Sequence, residues 1–554
     1  MLTRLTGGRI YDPASGVDGE IHDLYIRDGL IVEPPRDARE ADEVIDVRGR
    51  VVMAGAIDLH THIGGGKVNI ARMMLPEDHV AHATAASGQL HSGCGHAAPS
   101  TWWTGYRYAE MGYTACFEPA MLPANARQTH MEMADTPVVD KGAYVLLGNN
   151  DLLLRMIADG TDQKRINDLV AWTIESSQAL AVKVVNPGGI NAFKFNQRRL
   201  DLDEENAGYG ITPRQILLTL ATACRQIGLT HPLHVHGCNL GVPGNVETTL
   251  ATIQGSEGLP LHLTHVQFHS YGAEGDRKFS SGAAAIAEAV NANPNISVDV
   301  GQIMFGQTVT ESGDSMMQYA GSAHAHPKKW TMMDLECDAG CGVVPFRYRD
   351  KNFVNALQWA IGLELFLLVD DPWRIFLTTD HPNGAPFTSY PHLTRLLMDR
   401  SFRLDMLKTI HPDAAAASNL AAIDREYTME EIAIMTRAAP ARSLGLDRMG
   451  HLGPGAQADV CVYRENANYE AMFKTPEYVF KRGDLVASGG SIIEAPNGVT
   501  HVARAPYDSG IKRTIDRYFD QEMSIKASHM IVSDDEITEL NHGSLAKYAT
   551  ERTA

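Results

Sequence analysis

The sequence predicts an α/β fold, a (β/α)8 TIM barrel, because eight short apolar runs rich in β-branched residues alternate with stretches of mostly helical pattern. These runs lie at 53–62, 113–119, 143–149, 181–186, 232–237, 261–266, 296–301 and 374–380. They are nearly continuous hydrophobics, which is typical of parallel strands buried on both faces. Segments 213–228 and 282–294 show the helical pattern between them. Eight strands of this kind fit one closed barrel.

The two ends of the chain predict a second, smaller domain. Short β runs with turn signals fill residues 2–52, and similar runs separated by Gly turns return from about 447. A chain of 554 residues also exceeds the roughly 250–300 residues of a single core. We therefore expect residues 1–52 and 441–554, the latter with a tail, to build a composite β-sandwich beside a barrel at 53–440.

Composition and charge exclude several classes of function. The formal charge of −19 disfavours binding to nucleic acid or to anionic membranes, which needs clustered Lys and Arg. No apolar run of about 18 residues occurs, and the first residues lack the apolar core of a secretory signal. We expect a cytoplasmic protein that binds neither nucleic acid nor membrane.

The cysteines predict neither disulfides nor an iron–sulfur cluster. Seven of them are scattered through the chain, and only Cys337 and Cys341 lie close together. Their spacing could serve a structural zinc ion, but no second Cys or His pair has suitable spacing. Two thiols in an ordered loop are the favoured interpretation.

The first predicted strand ends in a candidate metal-binding pair, His60 and His62. Residues two apart on a strand project from the same face, so both imidazoles can reach one divalent ion. Taken alone, the pair could equally be two hydrogen-bonded histidines at a strand end. The rest of the chain favours the metal.

Lys183 lies inside the apolar run at 181–186, where an unpaired ammonium would be costly. Burial favours the neutral amine, which can react with carbon dioxide to give a carbamate able to bridge two metal ions. A Lys paired with a carboxylate is the alternative. Lys194, in the following loop, is a less favoured bridge.

Three further candidate ligands end later strands. His236 and His265 close the fifth and sixth runs, and Asp380 follows the eighth, so all three reach the end where barrel active sites form. Asp380 could bind metal and move a proton, or it could cap a helix. His234 lies one layer deeper than His236, and His262 points away from His265.

The ordered motifs GAIDLHTH, AVKVVNPGG, PLHVHG, LHLTHV and FLTTDHPNG resemble the amidohydrolase superfamily of the dihydroorotase and hydantoinase type. The resemblance implies that His60, His62 and Asp380 hold one divalent ion and that His236 and His265 hold a second. It also implies a carboxylated Lys183 between two ions, for which zinc is the expected metal.

A narrower resemblance covers most of the chain. Segments 61–79, 182–196 and 263–272, together with HVHGCNLGVPGN at 234–245, are similar to the A subunits of formylmethanofuran dehydrogenases and formyltransferase/hydrolase complexes. This implies hydrolysis, or the reverse condensation, of the N-formyl amide of methanofuran or methylofuran, within a multisubunit complex. Asp380 would pass the proton to the leaving amine, and the step requires no flavin or NAD.

Two groups of residues are predicted to contact this substrate. Asn239, Gln267, His269 and His381 lie just beyond the metal-bearing strand ends, although loop hydrogen bonding would explain them equally well. The glutamyl tail that the resemblance implies for the cofactor is anionic, so we also expect a local basic cluster. Its candidates are Lys67, Arg72, Lys194 and Arg198, or residues of partner subunits.

Two alternatives remain open. A cyclic-amide hydrolase acting on hydantoins or dihydropyrimidines would use the same ligands. A non-catalytic scaffold would keep the barrel only to hold partners, but the retention of all six ligand-type residues argues against that interpretation.

Overall fold

The structure is a computed structural model that describes residues 1–37, 41–194, 197, 199–311, 320–332, 342–542 and 544–553. Its strands, in chain order, are β1 Leu2–Asp12, β2 Val17–Arg27, β3 Leu30–Val32, β4 Glu43–Asp46, β5 Arg50–Ala54, β6 Ala56–Asp58, β7 Tyr113–Met121, β8 Asp140–Leu146, β9 Ala181–Val185, β10 Leu233–His236, β11 Leu261–Leu263, β12 Tyr271–Gly272, β13 Ser280–Ser281, β14 Ile296–Asp299, β15 Gly306–Thr310, β16 Thr331–Met332, β17 Gly342–Tyr348, β18 Ile375–Phe376, β19 Val460–Arg464, β20 Tyr478–Lys481, β21 Asp484–Ser488, β22 Ser491–Ile492, β23 Thr500–Arg504 and β24 Leu545–Ala549.

The α-helices of the described residues, in chain order, are α1 Gly66–Met74, α2 Pro76–Ala81, α3 Thr101–Glu110, α4 Ala126–Ala134, α5 Asp151–Ala158, α6 Gln163–Ser177, α7 Gly189–Lys194, α8 Pro213–Ile227, α9 Val246–Gln254, α10 Ala283–Ala292, α11 Phe353–Leu368, α12 Tyr390–Met398, α13 Arg400–Thr409, α14 Pro412–Ala417, α15 Met429–Ala433, α16 Ala439–Leu444, α17 Tyr469–Lys474, α18 Lys512–Glu522 and α19 Asp534–Leu540. A π-helical turn, Ile434–Ala438, joins α15 to α16.

Eight parallel strands form the predicted barrel. They pair in the order β6, β7, β8, β9, β10, β11, β14 and β18. A parallel bridge between Thr61 and His381 joins the chain beyond β6 to the chain beyond β18, and the His62 amide donates to the His381 carbonyl at 2.8 Å. Each strand lies within or overlaps one of the eight apolar runs, so the barrel prediction is confirmed.

Helices cover the outside of the barrel. The two predicted helical segments appear as α8 and α10. Thr212 caps α8 in a capping box with Gln215, and Gly228 ends it with a φ of 84°. The apolar faces of these helices join one large buried cluster with the strands, which explains the period of the helical pattern and the unbroken apolar runs.

Strands from both ends of the chain share a second sheet. Its order is β22, β21, β20, β19, β5, β1, β2 and β3, and β4 also pairs with β1. The first half of β1 pairs with β4 and the second half with β5. This sheet encloses its own apolar cluster, as the predicted composite domain requires. The domain limits at 52 and 440 stay a prediction.

The last segment of the chain packs against the barrel. Strand β23 does not extend the composite sheet but bridges to the start of barrel strand β8 at Thr500 and Lys141, and β24 pairs with β23. Buried side chains of α18, Ile515 and Phe519, join the main apolar cluster. The apolar positions of this segment therefore pack onto the barrel.

Within the described residues, no helix has the length and apolar character needed to span a membrane.

Candidate metal centre

The candidate ligands collect where the barrel strands end. His236 is the last residue of β10, His60 and His265 lie two residues beyond β6 and β11, and Asp380 follows β18. His265 and Asp380 have φ values of 37° and 52°, in the left-handed region that non-glycine residues rarely adopt. Such conformations cluster at functional sites, where the surrounding structure imposes them.

His60, His62 and Asp380 form one possible metal-binding group. The Nε2 atoms of His60 and His62 lie 2.9 and 3.4 Å from the same Oδ1 atom of Asp380. Asn383 donates its side-chain amide to that oxygen at 3.0 Å. All three members are buried, and their donor atoms lie within 4.8 Å of one another. Two imidazoles and a carboxylate are a donor set that suits a divalent transition metal.

A second group contains His236, His265 and His269, whose donor atoms also lie within 4.8 Å of one another. The ring centroids of His236 and His265 are 4.6 Å apart, and those of His60 and His265 are 5.5 Å apart, so the two groups adjoin. Nδ1 of His265 is buried without a hydrogen-bond partner in the described structure. An imidazole nitrogen left in this state fits a metal ligand.

Lys183 lies on β9 beside these groups and is 2% exposed. Burial lowers the pKa of its amine to about 8, and the negative charge of Asp380 opposes that shift. The side chain lines the same cavity as His62, His236, His265 and Asp380. A partly neutral amine in this place meets the chemical requirement for carbamate formation.

Two buried carboxylates that the sequence analysis did not single out hold this arrangement. Glu118, on β7, receives the Nδ1 proton of His62 at 2.9 Å and accepts backbone amides of Ile63 and Gly64. Asp299, the last residue of β14, accepts the His265 amide at 2.6 Å. The sequence signal that could have identified both residues was a single acidic residue inside an otherwise apolar run.

The carboxylates and imidazoles of the centre shift one another's pKa values. Burial opposes a charge on His62, but Glu118 and Glu311 outweigh that effect and raise its pKa to about 10. Burial likewise opposes ionisation of Asp380, yet His60 and His265 hold the pKa of that carboxyl well below its usual range. Ionised carboxylates that converge with imidazoles in a buried site stabilise a bound cation.

A cavity of about 480 Å³ opens above these groups. Its base includes His62, Lys183 and Asp380, and its walls include Phe268, Phe346 and Tyr348. Apolar walls above a few convergent polar groups are typical of a site for a small organic molecule.

The four predicted substrate contacts, Asn239, Gln267, His269 and His381, stay a prediction, and the structure shows where each lies. None of the four lines this cavity. Asn239 donates to Asp201 at 2.6 Å, the Gln267 side chain bonds Tyr271 and the Ile303 amide, and His381 accepts the Phe387 amide. His269 joins the second histidine group instead. Their positions beyond strand ends were visible in the sequence, but their long-range partners were not.

The predicted basic cluster is only partly present. Lys67 lines the cavity, whereas Arg72 is buried and bonds Glu132 and two backbone carbonyls. Arg277 and Lys278, which the sequence analysis did not single out, lie at the cavity rim. The side chain of Lys194, along with Arg198, Cys337 and Cys341, falls outside the described residues.

Comparisons with known proteins identify a family and two relatives that match most of the chain. The amidohydrolase family model matches residues 43–487. The A subunit of the formyltransferase/hydrolase complex Fhc of Methylorubrum extorquens is 42% identical over 539 residues, 96% of this chain and 97% of that protein. Protein FwdA of Methanocaldococcus jannaschii is 42% identical over 516 residues, 90% of each chain.

A solved structure extends this similarity to the whole fold. The crystal structure of the formyltransferase/hydrolase complex FhcABCD of Methylorubrum extorquens with methylofuran contains a chain that matches with a TM-score of 0.94. The two chains are 41% identical, and the match covers 100% of both. A dihydroorotase of an Anaeromyxobacter species matches more locally, at 48% identity over 65 residues, 11% of this chain and 14% of that protein.

Proposed function

The chain belongs to the amidohydrolase family, and we propose that it hydrolyses the N-formyl amide of a furfurylamine-type cofactor, a formylated methanofuran or methylofuran. The products are formate and the free amine, and the same site can run the reverse condensation. The observation that carries this proposal is the match over 100% of both chains to a chain of a complex crystallised with methylofuran. The chain would act within such a multisubunit complex, and its expected cytoplasmic location stays a prediction.

The family implies metal ions, and the two residue groups fit them. We propose that His60, His62 and Asp380 hold one divalent ion and that His236 and His265 hold another, with a carboxylated Lys183 between them. Imidazole nitrogens and carboxylate oxygens favour zinc. When bound, such ions would polarise the formyl oxygen and lower the pKa of water. His269 is available as a further nitrogen donor beside His236 and His265.

The residues of this chain would divide the remaining work. Asp380 is held ionised, so it can take a proton from the attacking water and pass it to the leaving amine. Asn383 fixes the orientation of that carboxylate through its amide. The aromatic walls can pack against a furan ring, while Lys67 and Lys278 line the same cavity and can pair with an anionic tail.

A comparison of substrates tests this proposal. Full-length protein with zinc and bicarbonate is incubated with N-formylated furfurylamine cofactor and, separately, with a hydantoin, and formate and ring-opened product are measured. We expect formate release and no hydantoin opening. Hydantoin turnover without formate release would favour the cyclic-amide hydrolase, to which the short dihydroorotase match points. Absence of any bound divalent ion would favour the scaffold.

A further inference from the structure

A row of three buried histidines leads from the candidate metal centre to the opposite end of the barrel. Nδ1 of His60 lies 2.8 Å from Nε2 of His234, and Nδ1 of His234 lies 3.0 Å from Nε2 of His231. Nδ1 of His231 lies 3.3 Å from the backbone carbonyl of Ser443 and 3.0 Å from its hydroxyl. Ser443, on α16, is partly exposed. The row therefore spans the barrel interior.

The hydrogen bonds of this row must share one direction. A neutral imidazole carries one N–H and one lone pair, so a ring that donates at one nitrogen accepts at the other. Burial lowers the pKa of His231 to about 3, which keeps that ring neutral in ordinary buffers. The N–H bonds then all point either towards Ser443 or towards the metal centre.

Both ends of the row favour the direction towards Ser443. A backbone carbonyl can only accept, so the Ser443 carbonyl is satisfied when Nδ1 of His231 carries the proton. At the other end, the Asp299 carboxylate lies 3.4 Å from Nδ1 of His60. The reverse direction would set a nitrogen lone pair against that carboxylate, which is unfavourable in a buried site.

This direction places two acceptors face to face in the metal centre. With its proton on Nδ1, His60 presents the lone pair of Nε2 to Oδ1 of Asp380, 2.9 Å away. A cation held by both groups would remove the repulsion between the two acceptors. His62 likewise donates Nδ1–H, in its case directly to the Glu118 carboxylate. For His60, the relay of two imidazoles adds an acceptor to Asp299 and to the Thr264 hydroxyl, which also contacts Nδ1.

We propose that His234 and His231 are positioning residues that, anchored on the Ser443 carbonyl, hold His60 in the tautomer that binds a divalent cation. The inference rests on the proposed metal function of His60. It extends the metal centre to the far end of the barrel, where His231 contacts none of the proposed metal ligands and does not line the cavity. Groups that orient a metal-binding histidine in this way govern the affinity of the site.

Zinc affinity of the full-length protein, measured by competition with a chromophoric chelator, tests the proposal. His231→Phe and His231→Leu remove the acceptor for His234, and Phe keeps a ring against Tyr144. We expect zinc binding to weaken about 10–100-fold in whichever of these variants folds by circular dichroism. His231→Gln should stay close to wild type, because its amide can accept from His234 and donate to Ser443.

Two further variants separate the relay from general damage. His130→Leu removes another buried histidine bonded to a backbone carbonyl, that of Ser177, and should lower stability without weakening zinc binding. Ser443→Ala deletes only the hydroxyl and should leave zinc affinity unchanged, since the carbonyl is the acceptor. Weaker binding in Ser443→Ala would mean that the row points the other way and would overturn the proposal.

The remaining outcomes are also decisive. A folded His231→Phe or His231→Leu protein with wild-type zinc affinity would overturn the relay, and so would a folded His231→Gln protein that loses zinc. If neither apolar variant folds, retention of zinc by His231→Gln supports the relay. Wild-type protein that binds no zinc would instead contradict the proposed function, so the two failures are distinguishable.

Discussion

At the scale of single residues, the carboxylates around the histidines decide what the centre can bind. Glu118 accepts four hydrogen bonds, one from the His62 ring and three from the backbone amides of Ile63, Gly64 and Ala120. These contacts fix the proton of His62 on Nδ1 and leave Nε2 facing Asp380. The direction of one hydrogen bond therefore sets the ligand state of a histidine.

Replacing Glu118 by Gln should weaken zinc binding about 10–100-fold, because both carboxylate oxygens of Glu118 accept hydrogen bonds and the Gln side chain has only one accepting oxygen. Competition with a chelator measures the change. Glu110→Gln, on α3 and not lining the cavity, is the matched control and should bind zinc like wild type. Equal zinc affinity in Glu118→Gln and wild type would show that Glu118 does not orient the ligand.

The sequence predicts this centre unevenly, for a physical reason. His60 and His62 are recognisable because two residues on one strand share a face, and Asp380 because it follows an apolar run. Glu118 contacts His62 across 56 residues of chain, and His231 acts through His234 on a residue of another strand. Such partners follow from the closure of the barrel, which local patterns do not encode.

At the scale of elements, the ends of the strands are held in uncommon backbone conformations by close packing. Gly301, just after β14, has a φ of 63°, and a Cβ atom there would lie 2.4 Å from Cβ of His265. Only glycine permits this approach of the seventh strand end to the sixth. The position of His265 therefore depends on Gly301, which is not itself a candidate metal ligand.

Gly301→Ala should displace His265 and destabilise the fold by more than the roughly 1–2 kcal/mol of a left-handed non-glycine residue. Gly160→Ala is the matched control, since its φ is 66° and its added Cβ would meet nothing within 4 Å. Urea unfolding and zinc content of both variants provide the comparison. The same loss of stability in both, with full zinc content in Gly301→Ala, would contradict this role.

Elements of the barrel were easier to predict than the last segment of the chain. Strands buried on both faces leave a nearly continuous apolar run, as in AVKVV at 181–185, and the run predicts the strand whichever neighbour it pairs with. Strand β23, THVAR at 500–504, lacks such a run, and the sequence does not reveal its partner. Its bridge to Lys141, at the start of β8, is determined by tertiary packing and not by the local sequence.

At the scale of the whole molecule, a buried ionic cluster joins the barrel to the composite sheet. Lys481, on β20, lies 2.9 Å from Asp140 of barrel strand β8 and 2.7 Å from Asp459, and it donates to the Thr114 carbonyl. Burial would raise the pKa of Asp140, but Lys481 and His501 hold it well below its usual range. The cluster ties the two sheets together through satisfied charges.

Lys481→Met should destabilise the protein by about 3–5 kcal/mol at pH 7, because it leaves buried carboxylates unpaired. A depressed carboxyl pKa contributes stability above the unfolded pKa of about 3.9, and that contribution is lost as pH falls. The difference from wild type should therefore shrink as the pH falls below about 4, measured by urea unfolding. Lys408→Met, at an exposed ion pair with Asp405, should cost at most about 1 kcal/mol. A difference that stays constant with pH would contradict the account.

Metal-dependent release of formate is the most direct test of the central claim. The assay uses formylated methylofuran and the protein with its partner subunits, as wild type and as the double variant His60→Asn, His62→Asn, with zinc content measured on the same samples. We predict formate release by the zinc-loaded wild type, loss after chelation, recovery with zinc, and loss of zinc and activity together in the variant. Formate release by the double variant, or by the chelated wild type, would contradict the assignment of this centre.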